Sequence, residues 1–448
     1  MNIDRKKVLV LGLGLSGAAA AELLLNRGAV VEVIDDGNGE GMKKRAEELR
    51  DRGAEVLLGG KEPLDIGAFD LLVISPGIPL SHRVARMARE RDIPVIGELE
   101  LAYRLLKTPL IAVTGTNGKT TTVSLLSEIF RRGSIPSVTG GNIGYPLSRI
   151  VLDNDEKTVV VAEVSSFQLE TMEKLSPAVA VLLNLSPDHL DRYGDMASYR
   201  AAKLRLFQNQ GSGDRAGVPE DLRPLLKSVL DPEVEIMTWG KGSEREGAVR
   251  EEEGILRIVR SGKKAEICRI DEIALPGRHN LRNVMAAVSI ANIYGIELDS
   301  IKSALISFRG LPHRLEYVSS PGGVPYYNDS KATNPGAVRA ALRSFSRPVI
   351  WLAGGSEKGL DFSLLRDEIK DSVKMAILMG ESRNKLKRLV EGVIPFRMVS
   401  DMEEAVDTAS REAEAGDPVL LSPGYASFDM FKNYKERGKF FKSLVKEM

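Results

Sequence analysis

Residues 111–123, IAVTGTNGKTTTV, combine the residue types and spacing needed to hold a phosphate chain. An apolar β-branched run, Ile111-Ala112-Val113, reads as a buried strand. Gly115, Thr116, Asn117 and Gly118 form a small-residue turn, and Lys119, Thr120 and Thr121 open a helix. Such a loop presents free amides and the positive end of a helix to an anion. Lys119 is placed to reach β- and γ-phosphates, and the Thr120 hydroxyl to hold Mg²⁺. The loop is shorter than the general phosphate-loop pattern, with only Thr116 and Asn117 between Gly115 and the Gly118-Lys119 pair.

Other reactive side chains sit where strands should end. Glu163, in AEVSSFQLE, would point its carboxylate into the crevice where α/β sheets bind ligands, and Mg²⁺ with triphosphate needs one or two such groups. His189, within NLSPDHLDRY, follows the next apolar run; a lone histidine is more often structural than a ligand. Near the N-terminus, Gly12-x-Gly14-x-x-Gly17 follows a strand, opens a helix and is trailed by Asp35. That is the dinucleotide fingerprint, but its glycines signal close phosphate approach and not nicotinamide itself. A nicotinamide site, another diphosphate ligand and a purely structural turn all remain open on this motif.

The elements that must position these groups alternate strand and helix, which implies parallel sheets. Three α/β blocks are expected, with boundaries at 1–107, 108–310 and 311–448. The first places strands at Lys7–Leu11, 30–34, Glu55–Leu58, 71–75 and 94–96. The second holds the phosphate loop, strands at 158–164 and 178–184, a helix over 197–208, a hairpin within 254–270 and a helix over 283–294. The third has strands at 324–328, 348–353, 374–379 and 418–421, then an amphipathic terminal helix from about 428 to 448. The fold class is therefore α/β: a Rossmann-like N-terminal sheet, a central mononucleotide-binding domain with a small β region, and a Rossmann-like C-terminal domain.

A chain of 448 residues suits two or three domains. Its 62 Lys and Arg balance 62 Asp and Glu, so no bulk field attracts nucleic acid. No stretch reaches the roughly 20 apolar residues of a membrane span. The single cysteine, Cys268, rules out an internal disulfide framework and fits a cytoplasmic setting.

TGTNGKT resembles the phosphate loop of the Mur ligase family, the ATP-dependent amide-forming ligases of peptidoglycan assembly, and the similarity runs in order from Val8 nearly to Met448. The resemblance implies small-molecule partners only (ATP, a UDP-linked sugar acid and an amino acid), a monomer, and an acyl-phosphate route. It implies UDP-sugar contacts at Leu15, Ser16, Asp35, Asp36, Gly77, Asn142, Ser165 and His189. Within Ser75-Pro76-Gly77-Ile78-Pro79, Gly77 belongs to the second loop on that side. ATP would be held by residues 115–121, by the adenine-side amides of Asn280 and Asn283, and by Arg314 and Asp329. Asn280 and Asn283 share a helical face, although Asn280 could equally cap the helix. The planar guanidinium of Arg314 suits a γ-phosphate.

The resemblance also implies two Mg²⁺ ions, with Thr120, Glu163, His189 and Lys203 as ligands. Lys203, in YRAAKLR, matches the lysine that takes up CO₂ as a carbamate; the alternative is a plain surface lysine. Lys119, Glu163, His189, Lys203, Arg314, Asp329 and Lys358 are the implied catalytic set. NDSKATN and SPGYASFDMFKNYKERG resemble the branch of the family that adds D-glutamate, with Lys331, Thr333, Lys358, Ser427, Phe428 and Tyr434 around the amino acid. Cations, hydroxyls and free helix-start amides are what a small dicarboxylate needs. Two departures stand out: Val218-Pro219-Glu220-Asp221 where relatives often carry Asn-Ala-Asp-Asp, and Tyr434 where phenylalanine is common.

Overall fold

In a computed structural model the chain builds three sheets in succession, and residues 1–61, 65–142, 144–242, 244–275, 277–357 and 361–448 are described. The first sheet is wholly parallel, in the order Glu55–Leu58, Val30–Asp35, Lys7–Leu11, Leu71–Ile74, Val95–Gly97. Alternate residues of its strands face opposite cores, as the period of two requires. Val8 and Val10 pack with the alanine-rich helix Leu15–Asn26, whereas Leu9 and Leu11 pack beneath the helix Arg83–Glu90. Strand Lys7–Leu11 lies between Val30–Asp35 and Leu71–Ile74, so the chain reverses its winding there. That reversal opens a crevice at the strand ends, the usual ligand position in such sheets. The 12–17 turn rims it, and Gly17 is forced: a Cβ there would lie 1.7 Å from the Gly12 carbonyl oxygen.

Among the described residues the second sheet has nine strands, ordered Lys263–Arg269, Ile255–Arg260, Val249–Glu252, Glu235–Trp239, Arg215–Pro219, Val179–Leu182, Leu110–Thr114, Val159–Glu163, Ser137–Gly141. The expected hairpin is present as the antiparallel pair Ile255–Arg260 and Lys263–Arg269. Val218 and Pro219 end a parallel strand, and Glu220 begins a 3₁₀ segment. Helix 197–208 was expected as one piece; it runs Met196–Leu204 and tightens into a 3₁₀ turn over Arg205–Phe207.

The third sheet is ordered Glu316–Ser319, Tyr326–Asn328, Val419–Leu421, Val349–Gly354, Val373–Met379, Phe396–Met398, with the first strand antiparallel. The late strand Val419–Leu421 is inserted between the two early ones, which sets the loops after residues 328, 354 and 421 side by side. The terminal helix begins later than expected, at Tyr434, where the Asn433 side chain accepts from the amides of Lys435 and Glu436. Residues 428–433 form a bent approach instead, because an Asn cap fixes the start more strongly than the aromatic spacing upstream.

Two buried carboxylates join the first unit to the second. Glu100 accepts backbone N–H groups from Glu173, Lys174 and Leu175, and Glu98 accepts from the Ser148 amide at 2.6 Å.

Candidate active site

The turn after Leu110–Thr114 is shaped by two glycines. Gly118 has φ +86°, and a Cβ on it would meet the Asn283 amide oxygen at 2.2 Å. Asn184 braces the loop from the neighbouring strand end, accepting the Asn117 N–H and donating to the Asn117 carbonyl, both at 2.9 Å. Sequence reading missed this asparagine, although its place just past an apolar run was the available signal. Lys119 folds back over the loop, donating to the carbonyls of Gly115 at 2.7 Å and Thr116 at 3.0 Å. Burial, with Arg314 nearby, pulls its pKa below the ordinary lysine value against the pull of Glu163. The Thr116 hydroxyl is tied to Ser186 and approached by the Tyr199 phenol, and Thr121 is buried in the first helical turn.

Thr120 is the meeting point. Its hydroxyl donates to Glu163 Oε2 at 2.7 Å and accepts from Arg314 Nη2 at 2.7 Å. The other Glu163 oxygen accepts from Asn142 Nδ2 at 2.9 Å. These residues line a cavity of about 230 Å³ closed on its far side by the third unit, through Arg314, Asp329, Lys331, Thr333 and Asn334. Burial raises the Asp329 carboxyl to about 7, although Ser422 donates to it at 3.0 Å and the Leu315 amide at 3.2 Å. Burial lowers Lys331 to about 8, with Arg314 adding to the shift, and its ammonium lies 4.0 Å from the centre of the Tyr434 ring. Asn283 Nδ2 donates to the Asn280 side-chain oxygen Oδ1 at 3.1 Å, and both side chains line the cavity from one face of helix Arg278–Ile293.

Lys203 is not a surface lysine: it is 1% exposed. Its amine donates to the Gly115 carbonyl at 3.0 Å and lies 4.8 Å from the Tyr199 ring centre. Desolvation, followed by Lys119, drives its pKa well below the ordinary value, against the pulls of Asp188 and Glu163. His189 stands apart. It has φ +53°, lies tilted against the Phe167 ring and 3.7 Å from Asp188, and no hydrogen bond or ion pair joins it to Glu163 among the described residues. Nor, among those residues, do three His, Cys, Asp or Glu side chains converge as a metal cage. The oxygen pair of Thr120 and Glu163 fits Mg²⁺, which keeps waters and phosphate oxygens as most of its ligands.

At the first crevice, Leu15 is exposed, as is Gly77, with Ser16 beside it. Asp35 accepts the Leu13 amide at 2.6 Å and the Gly37 amide at 2.7 Å, so it shapes the loop as well as rimming it. Asp36 pairs with His82 at 3.3 Å. Ser165 caps the helix Ser166–Leu169 through reciprocal bonds with Gln168. In the third unit Ser427 is buried in the turn after Val419–Leu421, and Phe428 is exposed. Lys358 lies outside the described residues. Sequence reading also missed Arg437, wholly buried, which donates to the carbonyls of Ser330, Tyr425 and Ala426 and so binds two of the strand-end loops together. No sequence signal separates it from the basic residues exposed on the same helix.

Three α/β units, a shortened phosphate loop and a carboxylate–threonine–arginine cluster define an ATP-using ligase class, and the chain belongs to the Mur ligase family. It matches the MurD-like N-terminal domain over residues 6–97, the Mur ligase middle domain over 113–291 and the glutamate ligase domain over 313–424. Relatives include UDP-N-acetylmuramoylalanine--D-glutamate ligase of Pelotomaculum thermopropionicum, 43% identical over 99% of this chain and 98% of the relative. The protein of that name from Syntrophus aciditrophicus is 40% identical, over 100% and 99%. Solved structures sharing the fold include MurF ligase from Thermotoga maritima in complex with ADP, at TM-score 0.61, 17% identity and 94% and 96% coverage. A pseudomurein peptide ligase type C from Methanothermus fervidus aligns at TM-score 0.61, with 18% identity and 99% coverage of both chains. Membership of the family implies ATP and Mg²⁺, and no helix of the described residues is long and apolar enough to cross a membrane.

Proposed function

We propose that this chain is the ligase that adds D-glutamate to UDP-N-acetylmuramoyl-L-alanine at the expense of ATP, in the assembly of peptidoglycan precursors. The observation that carries the chemistry is the Thr120 hydroxyl held between Glu163 and Arg314, above Lys119, in one cavity. The full-length likeness to relatives of that name supports the choice of substrates.

The terminal carboxylate of the sugar substrate attacks the γ-phosphorus, the bond to the β-phosphate oxygen breaks, and ADP leaves. The D-glutamate amine then attacks the acyl phosphate carbonyl; phosphate departs, the amine loses a proton and an amide remains. Lys119 and Arg314 offset charge on the transferring phosphoryl group, and loop amides orient it. Thr120 and Glu163 would hold Mg²⁺, which supplies charge neutralisation on the phosphates when bound. Asn280 and Asn283 lie at the base, Asp329 faces the nucleotide, and Lys331 and Thr333 face the reacting groups. Ser427, the Phe428 and Tyr434 amides and Lys358 receive the amino acid. Leu15, Ser16, Asp35, Asp36, Gly77, Asn142, Ser165 and His189 serve the UDP-sugar.

Lys203 takes up CO₂ as a carbamate: its neutral amine nitrogen bonds to the CO₂ carbon and one proton leaves. Deep burial and a depressed pKa favour the neutral amine this requires. The carbamate and His189 would serve a second Mg²⁺. One substrate falls to each of the units 1–107, 108–310 and 311–448, so a monomer suffices, and the buried lone Cys268 suits the reducing cytoplasm.

Phosphate release from ATP is measured with UDP-N-acetylmuramoyl-L-alanine, with and without D-glutamate, in Mg²⁺ and bicarbonate. Release that needs both, with a product heavier by one glutamyl residue, is expected. Release satisfied by another amino acid would reopen the acceptor, and no release from folded protein would overturn the ligase reading.

A further inference from the structure

His189 holds a left-handed backbone conformation, φ +53° and ψ 30°, at the start of the short helix Leu190–Tyr193. Residues other than glycine seldom adopt it, and it persists only where the surroundings impose it. Polar contacts do little to orient the ring. Among the described residues its nearest ion-pair partner is Asp188, at 3.7 Å and beyond hydrogen-bond reach, and 44% of the side chain is exposed.

A cation and a phenyl ring hold this segment instead. Phe167 lies 4.7 Å from the imidazole between ring centroids, at 59°. The Arg192 guanidinium carbon lies 4.3 Å from the centroid of the same phenyl ring. Glu170 fixes that guanidinium with both carboxylate oxygens, accepting from Nε at 3.0 Å and from Nη2 at 2.6 Å. A planar fork over an aromatic face is an arrangement that only arginine provides. The Arg192 amide donates in turn to the His189 carbonyl at 3.1 Å. The contacts therefore close a ring: from His189 along the main chain to Arg192, through its guanidinium to Phe167 and Glu170, and from Phe167 back to the imidazole. Phe167 and Glu170 flank the turn whose start Ser165 and Gln168 lock by their reciprocal bonds, so the clamp has a rigid base.

We propose that Arg192 and Phe167 are positioning residues for His189, fixing its ring in the pose that meets the UDP-sugar and acting on that substrate only through the ring. An imidazole without a hydrogen bond to orient it would otherwise lose rotamer freedom on each binding event; a side chain ordered beforehand avoids that cost. The inference rests on the reading of His189 as a contact of the UDP-sugar.

Dissociation constants for UDP-N-acetylmuramoyl-L-alanine are measured by titration calorimetry on the full chain, without nucleotide or Mg²⁺. His189→Ala and Arg192→Gln should each weaken binding by about fivefold or more. Arg192→Lys should recover little, because a point charge cannot make the fork to Glu170 while covering the ring. Phe167→Tyr, which keeps the ring, should retain most of the affinity, whereas Phe167→Leu should resemble Arg192→Gln. In the His189→Ala background Arg192→Gln should cost less than about twofold more, because the group it positions is gone. A second loss of full size there would mean that Arg192 acts on substrate or fold directly, and overturns the proposal. If Arg192→Gln does not fold, Phe167→Leu, at a half-buried position, enters the same cycle. Arg192→Gln and Phe167→Leu proteins that bind like wild type, beside a weakened His189→Ala, overturn the positioning role and leave the His189 contact standing. A His189→Ala protein that binds like wild type overturns that contact, and the proposal with it.

Discussion

Arg314 donates from Nη2 to Thr120 Oγ1 at 2.7 Å, across 194 residues of chain, and so places a guanidinium of the third unit on the phosphate loop of the second. The same hydroxyl donates to Glu163. One oxygen therefore joins the cation suited to phosphate and the carboxylate suited to Mg²⁺. A second strut supports this closure, from Asn334 Nδ2 to Asp188 Oδ2 at 3.2 Å.

Arg314→Ala should lower kcat by about a hundredfold or more, because it removes charge that matters most as the phosphoryl group transfers. UDP-sugar binding should change far less, because Leu15, Ser16, Asp35, Asp36 and Gly77, which would hold its nucleotide end, belong to the first unit. Arg314→Lys should recover little, since a point charge does not reproduce the planar fork. Steady-state kinetics beside sugar-nucleotide titrations check this; a loss confined to the KM for ATP would assign Arg314 to binding alone.

Lys203→Ala should lose most activity, and small carboxylic acids such as acetate should restore part of it by standing in for the carbamate. The site is closed enough to hold such an acid, because Lys203 is 1% exposed and lies against the Gly115 carbonyl. Wild-type activity in the alanine variant, or no rescue at any acid concentration, would remove the carbamate.

Asp329 makes stability depend on pH. Its carboxyl stays protonated up to about 7 in the fold, against 3.8 for the ordinary group. The unfolded chain releases that proton first, so folding stability from this group falls as pH rises from about 4 to 7. Asp329→Asn keeps an acceptor for the Leu315 amide and cannot ionise. Its stability relative to wild type should therefore rise by about 2–3 kcal/mol between pH 5 and pH 8, without nucleotide or Mg²⁺. Denaturant melts at the two pH values test this, and a constant difference would show that the buried carboxyl does not titrate there.

Glu100→Ala should weaken the joint between the first two units. The carboxylate accepts three backbone N–H groups and the Arg104 guanidinium, and alanine would leave all of them without that partner. A loss of about 2–4 kcal/mol in denaturant unfolding is expected. Glu100→Gln should lose less, because its amide oxygen still accepts. An alanine variant as stable as wild type would mean that the apolar contacts of helix Glu98–Leu105 hold the joint by themselves.

The sequence by itself determined the local chemistry: the glycine turns after Lys7–Leu11 and Leu110–Thr114, the lysine and threonine that follow the second of them, and the shared face of Asn280 and Asn283. These features lie within a turn or two of chain, where backbone sterics and side-chain period dictate the outcome. Only the tertiary structure decided that Arg314 meets Thr120, that Lys203 is buried beneath Gly115, and that Asn184 braces Asn117. The late strand Val419–Leu421 slips between two earlier ones, and buried Arg437 then ties the loop after it to the one at Ser330. No local rule encodes such pairings, because they follow from which apolar faces can be buried together, and that is settled by the packing of the whole chain.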